Sequence, residues 1–334
     1  MRKYLLPQNG QFYKANLHCH TNISDGGFSP EKVKQMYMEK GYSVVAFTDH
    51  EILVPHNDLA EDNFLPLNGY EYEVNGPLDP INPIERHRKK CHICMIATES
   101  EGIHQVCWGE NIWGNIGKYL DKAQIDHALP LYKQRYCGEG ITEVMEMARK
   151  AGFFVTYNHP QWSMEDMIDI AGYHGMHAME IYNHASTCEG WTEYNPHIYD
   201  AILRRGERIY CIAADDNHGT EQQFGGWTMI RAEKLEYRTI TKAMEAGHFY
   251  ASNGPEIHNL WFEDGQICIE CSPAATIQYS AGARRGKLIH AADTPLTAAS
   301  FPVDSTDIYV RLTVTDENGN HANTNAYFTE ALFE

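Results

Sequence analysis

The feature that most constrains the fold is a repeating unit, in which a short apolar run ends in histidine or a carboxylate and a helical pattern follows. A buried strand is predicted over 42–48 and ends at Asp49-His50, and another over 209–214 precedes Asp216. Alternating strand and helix patterns are typical of α/β proteins with parallel strands. In such folds functional side chains collect at the carboxyl ends of the strands. The repeat therefore predicts an α/β fold with its site at one end of the sheet.

Strand and helix patterns continue over the first three quarters of the chain. Ser29-Pro30 predicts a helix start, because serine caps a helix and proline suits its first turn. Further helices are predicted over 142–151 and 198–205, and each pattern is followed by glycine. The remaining strands of this region are predicted over 15–17, 64–72, 92–98, 153–157 and 176–182.

The chain changes character near residue 251. Short alternating strands are predicted over 267–270, 275–279 and 308–315, and Asp316-Glu317-Asn318-Gly319 is a hairpin turn signal. We therefore predict a large domain over 1–250, with an insertion at about 100–140, and a small all-β, sandwich-like domain over 251–334.

Composition excludes several classes of protein. The formal net charge of −18, with histidines neutral, disfavours long nucleic acids and membrane surfaces as partners. No apolar run approaches a membrane span, and the first 14 residues lack the apolar core of a signal peptide. Nine cysteines scattered through apolar runs are typical of reduced thiols. We expect a cytoplasmic protein that acts on a small molecule.

Imidazole and carboxylate groups are concentrated around the ends of the apolar runs. His18 and His20 are two residues apart, so on a strand both side chains face the same side. Asp216 and His218 have the same spacing, and we prefer Asp216 to the neighbouring Asp215 for that reason. Histidine with carboxylate is a ligand set for Zn, Mn or Fe. Such clustered ligands predict a hydrolase with more than one metal ion.

The sequence resembles the PHP (polymerase and histidinol phosphatase) superfamily over roughly residues 12–250. The motifs that carry the resemblance occur in the order expected of that family and are His18-x-His20, Asp25, Thr48-Asp49-His50, Gly69-x-Glu71, His92, His159-Pro160 and Asp216-x-His218. The resemblance implies a distorted (β/α)7 barrel, two or three divalent metal ions (Mn, Fe or Zn) and phosphoester hydrolysis. Gly254-Pro255-Glu256-Ile257-His258 and the β-rich tail resemble the C-terminal domain of CehA/McbA-type metallohydrolases, a branch of the superfamily.

The resemblance also implies three metal sites, with His50, Asp216 and His218 as catalytic residues. The implied ligands are His18, His20, Glu71 and Asp216 for the first site, Glu71, His92 and His159 for the second, and Asp25, His50 and His218 for the third. Asp25 stands where family members often have histidine. Glu73 remains an alternative to Glu71, because the two face the same side of a strand. Two metal ions about 3.5–4 Å apart lower the pKa of a bridging water, so hydroxide is available near neutral pH.

Substrate recognition is predicted from arginines in this acidic chain. Arg86 and Arg88 lie in a basic run before His92, and Arg135 lies in the insertion. Guanidinium groups bind phosphate oxygens, whereas a solvated loop is the alternative reading of the basic run. The insertion is rich in aromatic residues, which either form a lid over the site or pack in the core.

Three functions follow from these patterns. The first is a metal-dependent phosphoesterase that hydrolyses a small phosphate monoester or diester by attack of a metal-bridging hydroxide. The alternative is hydrolysis of a carboxylic ester, carbamate or amide by the same chemistry. The third is a non-catalytic metal-binding module, which the retention of every expected ligand disfavours.

Overall fold

The computed structural model describes residues 2–109 and 113–334 as a mixed α/β structure with one large sheet. The strands in these residues are β1 (Lys3–Tyr4), β2 (Gln11–Asn16), β3 (Val44–Phe47), β4 (Leu65–Asn75), β5 (Lys90–Ala97), β6 (Phe153–Tyr157), β7 (Ala178–Asn183), β8 (Tyr210–Ala214), β9 (Trp227–Ala232), β10 (Phe249–Ser252), β11 (Ile257–Glu263), β12 (Gln266–Ala274), β13 (Thr276–Ala281), β14 (Gly286–His290), β15 (Leu296–Pro302), β16 (Tyr309–Thr315), β17 (His321–Thr324) and β18 (Tyr327–Phe328). Each strand predicted in the first 250 residues has a counterpart here, so the α/β class is confirmed.

The α-helices of the described residues lie between strands, except for α7, which follows the last strand. They are α1 (Pro30–Glu39), α2 (Gly138–Lys150), α3 (Met167–Ile170), α4 (His184–Cys188), α5 (Pro196–Arg204), α6 (Tyr237–Glu245) and α7 (Thr329–Phe333). The predicted start of α1 is confirmed, because the side chain of Ser29 accepts a hydrogen bond from the Lys32 N–H. In the part of the chain that the structure describes, no helix has the length and apolar character needed to cross a membrane.

Strand direction differs from the parallel arrangement that the sequence predicts. β2, β3 and β4 are parallel neighbours, as are β6, β7 and β8. β5 lies between β4 and β6 and is antiparallel to both. Because no α-helix separates β4 from β5, the chain turns back directly, as antiparallel pairing allows. The amino end of β5, where His92 lies, therefore meets the carboxyl ends of its neighbours.

Pairing in the large sheet follows an open path from β14 through β13, β16, β17, β10, β9, β2, β3, β4, β5, β6 and β7 to β8. The segments that follow β2 and β8 nevertheless meet. A parallel bridge joins Cys19 to Asn217, and the Asp216 N–H donates to the His18 carbonyl at 2.9 Å. One apolar cluster also takes side chains from every strand from β2 to β9. The predicted (β/α)7 barrel stays a prediction, since β2 and β8 themselves are not paired in this path.

The region after residue 251 consists of strands apart from the five-residue α7. β1, β11, β12 and β15 form a four-stranded sheet, while β13, β14, β16 and β17 extend the large sheet. Both sheets contribute to one apolar cluster, for example through Ile269 and Leu312, as in a sandwich. The predicted boundary at residue 251 falls inside β10, which pairs with β9 on one side and β17 on the other. The large sheet therefore runs through the boundary.

Apolar side chains cover both faces of the large sheet. Along β6, Val155 packs in one cluster with Ile141 of α2, whereas the preceding Phe154 packs in another with Ile240 of α6. Successive residues of a strand point to opposite faces, so this short run is buried on both sides. All nine cysteines are free, and most are buried, which agrees with the expected reduced thiols.

A buried ion pair links α5 to β16 and so joins the two predicted domains. Arg311 is 3% exposed, and its guanidinium donates to both carboxylate oxygens of Asp200 at 2.8 Å. Removing one partner leaves the other charge buried and unpaired.

We expect Asp200→Ala to lower the free energy of unfolding by about 3 kcal/mol, measured by urea denaturation. Arg204→Ala is the control, because that half-exposed side chain lies 3.9 Å from Asp200, and an equal loss in both variants would contradict the prediction.

Glu165 makes the stability of the protein depend on pH. Its carboxylate accepts hydrogen bonds from the hydroxyls of Tyr136, Tyr157 and Tyr173, and burial raises its pKa to about 7 despite these donors. An unfolded glutamate titrates near 4.3, so the folded state retains this proton as the pH rises through the interval between the two values. The stabilisation that this proton provides is complete below pH 4.3 and is lost as the pH rises to 7.

We expect Glu165→Gln, which mimics the protonated side chain, to remove this pH dependence. Between pH 5 and pH 8 the free energy of unfolding of the wild type should fall by about 3 kcal/mol more than that of the variant. Urea denaturation at both pH values measures the difference. Parallel pH profiles of the two proteins would show that Glu165 does not carry the effect.

Candidate metal centre

The side chains predicted as metal ligands converge at one end of the large sheet. The segments after β2, β3, β6 and β8 deliver most of them, while β4 and the amino end of β5 supply the rest. Seven are buried, and Asp25 and His218 are partly exposed. The nine residues brought together are His18, His20, Asp25, His50, Glu71, His92, His159, Asp216 and His218.

The first predicted set of ligands forms a compact group. Nε2 of His18 lies 3.1 Å from Nε2 of His20, and Asp216 Oδ1 lies 3.2 and 3.1 Å from those two atoms. Glu71 places Oε1 3.1 Å from His18 Nε2 and Oε2 3.3 Å from His20 Nε2. Four donor atoms around one point can hold a single divalent cation.

Glu71 connects this group to the second predicted set. Its Oε1 lies 3.1 Å from Nδ1 of His92 and 3.3 Å from Nε2 of His159. Its Oε2 lies 3.2 Å from Nδ1 of His50. A single carboxylate therefore faces histidines from four strand ends, and it can bridge two cations.

The third predicted set lies on the exposed side of the cluster. Asp25 lies 3.5 Å from Nε2 of His218 and 3.8 Å from Nε2 of His50. His20 joins these three in one group, with its ring 4.1 Å from that of His218 between centroids. The Nδ1–H of His218 donates to the Asp216 carbonyl at 3.0 Å, which leaves the lone pair of its Nε2 available to bind a cation.

Two of these residues have backbone angles that are rare for non-glycine residues. The φ of His159 is 23° and that of Asp216 is 54°, conformations that cost on the order of 1–3 kcal/mol each. Both backbones are held by hydrogen bonds, from His159 N–H to Glu180 at 3.0 Å and from Asp216 N–H to His18 at 2.9 Å. These hydrogen bonds to Glu180 and His18 therefore hold the two strained backbones in place.

The charges of the cluster suit cation binding. Burial opposes ionisation of Glu71, yet His18 and His92 hold the pKa of that carboxyl well below its usual range. Burial also lowers the pKa of His50, and the charge of His20 lowers it further. Burial opposes a positive charge on His92, but the carboxylates of Glu71 and Glu73 raise the pKa of its imidazole to about 10. A divalent cation would replace such protons, because histidine binds metal in its neutral form.

Several buried polar atoms in the cluster lie close to one another but make no hydrogen bond of good geometry within the described residues. They are Nδ1 of His20, His50 and His92, Oε2 of Glu71 and Oδ1 of Asp216. Buried polar atoms are nearly always paired in folded proteins, and each exception needs an explanation. These unpaired nitrogens and oxygens are the donor atoms that Zn, Mn and Fe prefer. The residues present therefore fit a divalent metal.

Glu180, which is fully buried on β7, was not among the ligands predicted from the sequence. Its Oε1 lies 2.7 Å from Nδ1 of His18, and its Oε2 accepts hydrogen bonds from the His159 N–H at 3.0 Å and the Asn183 amide at 2.8 Å. The available signal was a charged residue inside an otherwise apolar strand. Glu180 thus holds two predicted ligands in place.

Two carboxylates that compete in sequence with predicted ligands have other contacts. Asp215 accepts hydrogen bonds from Tyr37 and from the N–H groups of 224–226, and the structure brings Asp216 into the cluster instead. Glu73 lies 3.0 Å from Nε2 of His92 and 2.7 Å from Nζ of Lys90, beside the cluster. Glu71 holds the central position.

A cavity of about 300 Å³ opens onto the cluster. Trp113 lies against His50 with 5.2 Å between ring centroids, and Trp162 lies 5.2 Å from His92. Trp113 is the contribution of the predicted insertion, of which residues 110–112 lie outside the described part of the chain.

The three arginines predicted to bind substrate lie outside the described lining of this cavity. Arg86 is exposed in a short 3-10 turn. Arg88 donates to the Gly76 carbonyl, and Arg135 is 55% exposed at its side chain and pairs with Glu143. The structure therefore does not bring these guanidinium groups to the cluster.

No protein-family model and no curated protein matches the sequence significantly. The solved structures that match this chain include three at low sequence identity. A two-domain protein from Bacteroides vulgatus with a predicted PHP-like metal-dependent phosphoesterase has 13% identity and a TM-score of 0.45, covering 97% of this chain and 98% of its own. A candidate metal-dependent phosphoesterase from Bifidobacterium adolescentis has 14% identity and a TM-score of 0.38, covering 65% and 90%.

The third is an amidohydrolase from Chromobacterium violaceum with bound sulfate and no metal. It has 15% identity and a TM-score of 0.36, and the match covers 61% of this chain and 87% of that one. Likenesses of this strength do not assign the chain to a family.

We expect Glu180→Gln to weaken the binding of Zn or Mn by about 10–100-fold, because the new amide orients His18 less well than the carboxylate does. Competition with a chelator measures the affinity. Glu207→Gln is a matched control, since that carboxylate pairs with Nδ1 of His174 at 2.6 Å on the surface. Equal affinity in wild type and Glu180→Gln would rule out the positioning role.

Proposed function

We propose that this protein is a metal-dependent phosphoesterase of the PHP type that hydrolyses a small phosphate monoester or diester. The convergence of histidines and carboxylates from separate strand ends into overlapping groups carries the proposal. One of those groups has the same members as the first implied ligand set, and another contains the third implied set together with His20. Unpaired buried donor atoms in the same cluster add independent support.

In this proposal the strands β2 to β8 close as a distorted (β/α)7 barrel. The contact between Cys19 and Asn217 and the hydrogen bond between Asp216 and His18 support closure at that point. The apolar cluster with side chains from all these strands would be the barrel interior, which is filled by side chains in barrels of this size. The metal cluster then lies at the usual functional end of such a barrel.

The proposed ligands are the nine residues of the cluster. Two or three ions of Mn, Fe or Zn bound there would lower the pKa of water and polarise the scissile ester. Glu71 orients ligands on both sides, and Asp216 holds His18 and His20 close together. His50 and His218, at the open side beside Asp25, would face the ester and its leaving oxygen. Loss of solvent contact lowers the pKa of both imidazoles, which favours the neutral form that binds metal.

A second candidate is hydrolysis of a carboxylic ester, carbamate or amide. The described lining of the cavity contains no lysine or arginine, so the charge of a phosphate would rest on the metal ions alone. A carboxylic ester carries no such charge. This observation keeps the second candidate open beside the first.

Hydrolysis of three matched aryl substrates by Mn-reconstituted protein tests the proposal. We expect turnover of a phosphomonoester or a phosphodiester, and a loss of at least about 100-fold in Asp216→Asn, because the substituted amide is a weaker ligand. Arg204→Ala, far from the cluster, should retain wild-type turnover. Turnover of the carboxylic ester alone would establish the second candidate. Bound metal without any turnover would establish a non-catalytic module.

A further inference from the structure

The wall of the cavity around the metal cluster has an unusual combination of side chains. Two indole rings, of Trp113 and Trp162, lie beside the histidines of the cluster. Both are half-buried, so part of each ring is available to a ligand. Aromatic rings favour stacked or edge contacts with another flat ring. This wall therefore suits a flat group attached to the reacting ester.

Outside the histidines of the cluster, every charged side chain in the described part of the same wall is a carboxylate. None of its described lining residues is lysine or arginine, and the lining carboxylates are Asp25, Glu71, Glu73, Glu189 and Asp216. Three of these face the proposed metal ions, and Glu73 is paired with Lys90 at 2.7 Å. The Nζ of Lys90 also lies 5.1 Å from the centre of the Trp113 ring, so this ammonium group contacts both Glu73 and Trp113. The described part of this wall therefore offers no lysine or arginine that could pair with a second anionic group on a substrate.

The remaining carboxylate is that of Glu189, an exposed residue at the cavity whose side chain is oriented by two hydrogen bonds. Its Oε2 accepts a hydrogen bond from the indole N–H of Trp162 at 3.2 Å, and its Oε1 accepts one from the Gln222 amide at 3.2 Å. Gln222 in turn accepts from the His218 N–H at 3.0 Å, which ties the wall to the metal cluster. Both donors to Glu189 are neutral, so neither cancels its charge.

We propose that Trp113, Trp162 and Glu189 select a phosphate ester whose leaving group is a flat aromatic ring without a negative charge of its own. The inference rests on the proposed phosphoesterase and deepens it. The ring lies against the indoles, and Glu189 repels a leaving group with a carboxylate or a second phosphate. Such like-charge contacts reject wrong partners more strongly than neutral ones do.

Binding of non-hydrolysable phosphonates to the Mn-loaded protein tests this selection without any turnover. Isothermal titration calorimetry gives the Kd of methylphosphonate, benzylphosphonate, 4-carbamoylbenzylphosphonate and 4-carboxybenzylphosphonate. We expect benzylphosphonate to bind about tenfold more tightly than methylphosphonate, and the carbamoyl compound about tenfold more tightly than its carboxylate counterpart.

Three variants assign these differences to the wall. Trp162→Leu should reduce the benzyl advantage to about twofold, and Glu189→Gln should reduce the difference between carbamoyl and carboxylate to about twofold. Trp261→Leu, in the β-rich C-terminal region, is the matched control and should retain both differences. Methylphosphonate should bind all the proteins about equally, because it does not reach the wall.

The outcomes separate this inference from the function on which it rests. If methylphosphonate binds but neither the ring nor the charge changes the Kd, the selection is overturned and the phosphoesterase stands. If both differences survive in Trp162→Leu and Glu189→Gln, these residues are not the determinants. If no phosphonate binds, the proposed phosphoesterase and the selection fall together.

Discussion

The structure of the site depends on one buried carboxylate that several imidazoles share. Glu71 is 1% exposed, and its two oxygens lie within 3.3 Å of ring nitrogens of five histidines. A buried negative charge is costly unless it is paired, so the surrounding strands must present positive or cation-binding groups to it. The neighbouring strands meet this requirement because each of them ends or begins beside Glu71.

Much of this arrangement could be predicted from the sequence. His18 and His20 share a face by their spacing, and the strand ends around Asp49-His50 and Asp216 follow from the apolar runs that precede them. The order of the motifs also implied which ligands group together, and the members of the first implied set lie together in the structure. These features depend on local periodicity and on motif order, both of which a sequence contains.

The rest depends on contacts between distant segments. His92 lies at the start of its strand, which in a parallel sheet would be the end opposite to the other ligands. It reaches the cluster because β5 runs antiparallel to its two neighbours. Glu180 looked like one charged residue in an apolar strand until its contact with His18 was visible. Arg135 pairs with Glu143 eight residues away, which no pattern of charge predicts. The partner of a long side chain is decided by tertiary packing.

The continuity of the large sheet through residue 251 has a consequence for the β-rich tail. β10 covers one edge of β9, and β17 in turn covers β10. A strand edge that is left bare offers its N–H and C=O groups to other molecules and promotes aggregation. The tail thus covers a strand edge of the region that carries the predicted metal ligands. Excision of the first 250 residues as an independent unit would remove that cover.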